Sequence, residues 1–350
     1  MTDSFDNKYL LPPEDFDVTK LPLIDQQLIS GLRGDFETGQ KIADKLKKIS
    51  PSCNKAAFNR AWYEMRNGNL LEGLKNLDAG RWEKVFGDPP LPTNKPIYHS
   101  ENLKGRYLLM CSEGGLGDEI INARFATDFA NKGAKVILTC DPGLASVFSR
   151  IEGVSAVIGH RRSPEIYHDY WVPAMSAARI LEYSYTDLTG KPYLSVDPEY
   201  KKKWSLYFSK NFPKNKKRIG LRFYGNPQFE HEQFRRFDPK SLIDTVESVI
   251  PQPWINLQKE ETDLPMETWE DTLAILDQLD LVITSCTSVA HASAALGKET
   301  WVIIPILPYY IWALPTSTSF WYKSVKLFRQ EKFQDWSNVF TEIKTELERL

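Results

Sequence analysis

Cys111-Ser112-Glu113-Gly114-Gly115-Leu116-Gly117-Asp118-Glu119-Ile120-Ile121 follows directly on the apolar run Tyr107 to Met110 and opens an amphipathic stretch at Asp118. A strand, a tight turn and a helix start read in that order. Gly114, Gly115 and Gly117 accept backbone conformations closed to other residues and let a bound molecule approach the main chain. Asp118 is carried into the same cleft, where a carboxylate points to chemistry. A dinucleotide-binding turn is the first rival reading. Gly115-Leu116-Gly117 supplies two of its glycines and Asp141 follows the run Val136 to Cys140. The third glycine is missing, because position 120 is Ile, and Asp118 would set negative charge beside a pyrophosphate. The plain structural rival makes Asp118 a helix cap and nothing more.

Outward from this turn the chain alternates between short apolar runs and helical stretches. Tyr107 to Met110, Lys135 to Thr139, Val154 to Ile158 and Asp169 to Val172 read as strands. Asp118 to Ala130 reads as a helix with Ile121, Phe125 and Phe129 on one face, and Gly143 to Arg150 as another. A second block repeats the pattern. Ile219 to Phe223, Trp254 to Leu257, Leu281 to Thr284 and Thr300 to Ile304 are its strands, and Leu242 to Val249, Thr268 to Leu279 and Ser288 to Leu296 its helices. Such alternation means parallel sheets covered by helices, here in two α/β domains in series.

Residues 1–98 form a different region: an irregular, proline-containing acidic arm, then helical periodicity from about Leu21 to Gly80, then a linker marked by Gly87, Pro89, Pro90, Pro92 and Pro96. The pair of helices around Asn67-Gly68 resembles a tetratricopeptide repeat in its small and aromatic positions. One such hairpin cannot bury its face alone, so it is expected to dock on the body of the protein. The remaining divisions expected are 99–200 for the first α/β domain, 201–217 for a linker, 218–334 for the second domain and 335–350 for a terminal helix. That helix carries Trp336, Val339, Phe340, Ile343 and Leu347 and is expected to cross back to the first domain.

At 350 residues the chain is long enough for about two to three domains. A net charge of -2 gives no global attraction to nucleic acid or an anionic membrane. Locally, Lys201 to Arg218 holds eight basic residues and no acidic one, with Trp204, Tyr207, Phe208 and Phe212 interleaved. A solvated helix and linker is the plain reading, a phosphate-tracking patch the other. Cys53, Cys111, Cys140 and Cys286 are scattered, which indicates neither a zinc site nor a disulfide framework and fits a reducing cytosol. The amino terminus is polar and acidic, unlike a signal peptide, and the most apolar stretch, Trp301 to Pro315, is too short and too rich in proline to span a bilayer. A cytoplasmic protein without a transmembrane segment is expected.

Leu281 to Thr284 runs into Ser285-Cys286-Thr287-Ser288-Val289-Ala290-His291 and a helix of small residues. The free N–H groups of that helix start, with the Thr287 and Ser288 hydroxyls, make a site for phosphate oxygens, and His291 lies one turn further in. Simple capping with a core histidine is the plain alternative.

Glu113 to Asp118 together with Asp280 to Trp301 resembles the two signature segments of the heptosyltransferase-like glycosyltransferases, in the form fused to tetratricopeptide-like helices. Ala57 to Phe86, Gly220 to Pro227 and Trp321 to Gln330 fit as well. The resemblance implies the two-Rossmann-domain fold called GT-B and inverting transfer from a nucleoside-diphosphate sugar to a hydroxyl acceptor of polysaccharide or lipopolysaccharide type. It also implies no required metal or other cofactor. By the same resemblance Asp118 is the general base, and Gly115, Gly117, Thr287, Ser288 and His291 lie at the nucleotide sugar. Arg222 and Arg236 are candidate counter-charges for the diphosphate, and Asn226, Gln258, Tyr309 and Trp312 further candidates for sugar or base contacts. One departure is visible: many members carry Asp directly before the signature threonine, where this chain has Cys286. Two other functions stay open, transfer to a hydroxylated base in DNA and a catalytically dead repeat-containing adaptor.

Overall fold

The computed structural model describes residues 11–12, 16–86, 93–160, 166–212, 216–227, 232–251 and 253–350. Most of the amino-terminal arm and the Gly87 to Pro92 part of the expected linker lie outside them. Helices α1 (Leu23–Leu32), α2 (Phe36–Ile49), α3 (Asn54–Arg66) and α4 (Leu70–Leu77) come first. They pack in sequence as two hairpins, α1 on α2 and α3 on α4, where the sequence led us to expect one. Asp35 caps α2 by accepting from the Thr38 N–H.

The first sheet holds β1 (Tyr107–Cys111), β2 (Lys135–Cys140), β3 (Val154–Gly159) and β4 (Tyr170–Pro173) in the order β3-β2-β1-β4, all parallel. Leu108 and Met110 face one core, Leu109 and Cys111 a smaller one on the other side, so β1 is buried on both faces and reads as a continuous apolar run. Between these strands come α5 (Leu116–Ala123), α6 (Phe125–Asn131), α7 (Ala145–Phe148) and, after β4, α8 (Ala177–Ile180). The single helix expected over Asp118 to Ala130 is thus two. Arg124 interrupts it, turning its Nε back to the Ile121 carbonyl at 2.9 Å and seating its guanidinium between the rings of Tyr193 and Tyr322.

Helix α9 (Pro198–Asn211) replaces the expected linker over most of its length, with Asp197 as its cap and Pro198 in its first turn. Trp204 and Phe208 are fully buried on its inner face. Trp204 Nε1 donates to Asp271 Oδ1 at 2.9 Å, and Lys203 and Lys201 pair with Asp271 and Asp277. The basic run is therefore one face of a docked helix, and its buried aromatics are not available to stack on bases.

The second sheet runs β6-β5-β7-β8-β9, from β5 (Ile219–Arg222), β6 (Ile255–Asn256), β7 (Leu281–Ser285), β8 (Thr300–Ile304) and β9 (Val325–Arg329), again all parallel. Its helices are α10 (Glu232–Arg235), α11 (Pro239–Val249), α12 (Trp269–Asp277), α13 (Ser288–Ala295) and α14 (Ser337–Leu347). Contrary to expectation, α14 does not return to the first domain. Val339, Ile343 and Leu347 join the core of the second sheet with Ile219, Leu281 and Ile303, and α14 packs on α11 and β9. That sheet face is apolar and needs the cover.

The helical region touches both sheets' loops. Tyr185 Oη donates to the Met65 carbonyl at 3.0 Å on the first side, and Trp62 Nε1 donates to the Pro308 carbonyl at 2.9 Å on the second. Among the described residues no helix is long and apolar enough to cross a membrane.

Candidate active site

Asp118 stands in the first turn of α5, directly after β1. Gly114 has φ +76°, and a side chain there would collide with the Asp118 carboxylate. The glycine therefore serves the turn and the carboxylate together. Asp118 Oδ2 accepts the Gly115 N–H at 2.9 Å, and Oδ1 accepts the Tyr309 hydroxyl, which comes from the loop after β8. Burial drives the Asp118 carboxyl upward from its ordinary value. The bonds from Tyr309 and Gly115 pull it down, and the charge of Glu119 adds to the rise.

The start of α13 faces this turn. A Cβ added to Gly117 would lie 3.2 Å from His291 Cδ2 and 3.8 Å from Ser288 Cα, so glycine at 117 is what lets α5 close on α13. Helix α13 can come this near because its residues are small and buried, with Ser293 Oγ and Thr300 Oγ1 joined at 2.7 Å beneath it. The two segments singled out from sequence thus meet across the domain boundary.

Several buried polar atoms here have no partner in the protein: Thr287 Oγ1, His291 Nδ1, Ser285 Oγ and Arg222 Nε. Such groups are rare in folded proteins, and here they gather at the carboxyl ends of β5 and β7, where open α/β sheets take their ligands. His291 is 3% exposed and stacks on Trp312, ring centroids 5.7 Å apart. Burial, with Arg124 and Arg235 nearby, depresses its imidazole to about 3, so it is neutral and offers a hydrogen bond in place of a charge. Arg222 donates to the Leu257 carbonyl at 2.8 Å, and its burial lowers it from the ordinary arginine value.

The remaining candidates divide. Trp312 is buried and gives its N–H to Cys286 Sγ at 3.1 Å. Gln258 is fully buried, and its amide N–H binds Glu260 Oε2 at 2.8 Å. Ser288 and Gly115 are at the facing helix starts, while Asn226 is exposed in the loop beyond β5. Arg236 sits with Tyr224, its guanidinium 5.6 Å from the ring centroid, and lines an outer cavity of about 880 Å³ with Phe234, Phe237 and Trp336. Its neighbour Arg235 is the one directed to the site, donating to the Cys286 carbonyl. Sequence alone gave no signal to choose between two adjacent arginines.

Sequence reading also missed a wedge at the first sheet. The order β2-β1-β4 reverses direction of winding at β1, and ligands of such sheets bind at that crevice. Here Arg81, from the 3-10 turn Asp78–Glu83, fills it with a bidentate pair to Glu113 at 2.6 and 2.9 Å and a bond to Ser176 Oγ at 2.9 Å. Asp78 beside it binds Ser176 and Arg179. Among the described residues no group of three or more His, Cys, Asp and Glu side chains is placed to hold a metal ion.

No protein-family model matches the chain. Protein FlbA of Caulobacter vibrioides is 23% identical over 331 residues, covering 83% of this chain and 54% of that protein, so the chain spans about half the length of the relative it matches. Among solved structures, a family 9 glycosyl transferase from Veillonella parvula is 9% identical and aligns with 71% of this chain and 99% of its own at a TM-score of 0.52. Heptosyltransferase II of E. coli, 13% identical over 70% of this chain and 99% of its own, gives 0.44. The iron-containing dodecameric glycosyltransferase TibC from enterotoxigenic E. coli, 10% identical over 71% and 78%, gives 0.46. With two parallel sheets in series and their facing helix starts, the chain has the GT-B fold, like the family 9 glycosyl transferase it aligns with.

Proposed function

We propose that the protein is an inverting glycosyltransferase that moves a sugar from a nucleoside-diphosphate donor to a hydroxyl acceptor, with Asp118 as general base. The observation that supports this most is the approach of α5 to α13: the Asp118 turn lies against the helix start that carries Thr287, Ser288 and His291. A sugar hydroxyl is a poor nucleophile. A carboxylate within hydrogen-bond reach takes its proton as the anomeric carbon develops positive charge, and the Tyr309 hydroxyl already makes such a bond. On the other side the main-chain N–H groups at the start of α13, the Thr287 hydroxyl, neutral His291 and Arg222 meet the departing diphosphate.

In this reading the counter-charge comes from side chains and amides, and a chelator leaves activity in place. One base with direct displacement gives inversion. A glycan is the acceptor that the sequence resemblance favours. Cys286 satisfies the Trp312 N–H and cannot grip sugar hydroxyls as a carboxylate does, so the donor need not be a heptose. In the DNA alternative the segment Lys201 to Arg218 holds the backbone, and two of its cations, Lys201 and Lys203, already pair with Asp277 and Asp271.

Screening nucleoside-diphosphate sugars for thermal stabilisation tests the reading, because a ligand of the folded state alone raises the melting temperature. A donor that stabilises the protein, is turned over, and loses its turnover in Asp118→Asn is the expected result. Stabilisation without turnover would support the dead-adaptor alternative, and stabilisation by a nicotinamide dinucleotide alone would overturn the transferase.

A further inference from the structure

A second chain of polar groups lies immediately behind the Asp118 turn and has no part in the transfer chemistry above. Glu119, the next residue of α5, is 4% exposed. Its Oε2 accepts the Asp141 N–H at 2.9 Å, and its Oε1 lies 2.8 Å from His160 Nε2. The other imidazole nitrogen, Nδ1, is 2.9 Å from Ser112 Oγ, which is itself 3.0 Å from Thr139 Oγ1. Ser112 and His160 directly follow β1 and β3, and Thr139 is the last residue but one of β2. The chain therefore ties three strand ends to the first turn of α5.

Two carboxylates in succession on one helix turn raise a problem of charge. Glu119 is buried and Asp118 half-buried, and the charge of Glu119 makes Asp118 harder to ionise. Helix-start amides relieve this in part. Among the described residues, His160 is the basic side chain that lies against Glu119, and it forms an ion pair there when protonated. Among the described residues, the groups facing His160 are Glu119 from α5, Asp141 after β2 and the Ser112 hydroxyl, which Thr139 backs. Both carboxylates favour the imidazolium, the Glu119 hydrogen bond most of all.

We propose that His160 is a positioning residue for the Asp118 base: as imidazolium it balances Glu119, and the Glu119–His160–Ser112 chain holds the first turn of α5 against α13. The proposal rests on the reading of Asp118 as base. With His160 neutral or replaced, the charge of Glu119 falls on Asp118, which then keeps its proton to higher pH.

The test is the pH profile of kcat in His160→Gln, with Glu119→Gln/His160→Gln as the second variant. The acidic limb is expected to move to higher pH in the single variant and to return toward wild type in the double one, with KM for the nucleotide sugar unchanged in both. A single variant whose limb coincides with wild type overturns the proposal, as does a double variant that fails to return. A reading independent of turnover is the NMR titration of the His160 ring, whose midpoint is expected to fall in Glu119→Gln; an unmoved midpoint also overturns it. Retained activity in Asp118→Asn would instead remove the base assignment, while the ring titration would still report on the Glu119–His160 pair.

Discussion

The phenol of Tyr309 donates a hydrogen bond to Asp118 Oδ1 across the boundary between the two sheets. That bond favours the ionised carboxylate against the burial that opposes it. In Tyr309→Phe the support is gone, so Asp118 protonates at higher pH than in wild type. The acidic limb of the transfer profile is expected to move up while the alkaline limb stays, which pH–rate measurements on kcat will show.

Asp118→Asn separates catalysis from stability. Loss of a general base costs roughly 10²- to 10⁴-fold in rate. The folded carboxyl is raised above its unfolded value, so the folded state binds more protons between the two. Stability from this group is present below the unfolded value and is lost as pH rises through the folded one. Removing the charge is thus expected to raise the melting temperature near neutral pH, with the gain shrinking in acid. Calorimetry at two pH values checks the sign.

The Arg81–Glu113 pair is nearly closed to solvent, with side chains 12% and 1% exposed. Arg81→Ala leaves a buried carboxylate without its cation and is expected to cost about 3 kcal/mol. Replacing both partners by apolar residues of similar size should cost much less. Urea denaturation of the two variants distinguishes a buried pair from a surface one.

His291 is expected to stay neutral across the physiological range, since its site holds it near the value of about 3. Its ring resonances should not titrate between about pH 5 and 8. A titration in that window would mean that the pocket admits water or an anion beside the ring.

The sheet strands were legible because β1, β2, β7 and β8 are buried on both faces and so read as unbroken apolar runs between turn residues. Strand β9 was not, since Val325-Lys326-Leu327-Phe328-Arg329 lies at a sheet edge and carries two cations. An amphipathic face says that a helix is covered but not by what, which is why α14 was assigned to the wrong partner. In α9 a run of lysines hid the inward face of Trp204 and Phe208. The turns that carry Asp118 and the start of α13 were legible because each is a strand–turn–helix junction with its own local pattern. The Asp118–Tyr309 bond joins residues 191 positions apart, and the Arg81–Glu113 pair joins two unrelated segments. No local periodicity reports such contacts.

The amino-terminal helices grip one lobe through Arg81 and Tyr185 and the other through Trp62 at Pro308, next to Tyr309. They act as a splint across the lobe boundary. A protein braced in this way is expected to keep the mutual orientation of its lobes as ligands enter and leave, with the clamped Pro308 staying in place. Hydrogen exchange that is slow all along the lobe boundary, the Pro305 to Tyr309 stretch included, is the signature such a splint would leave.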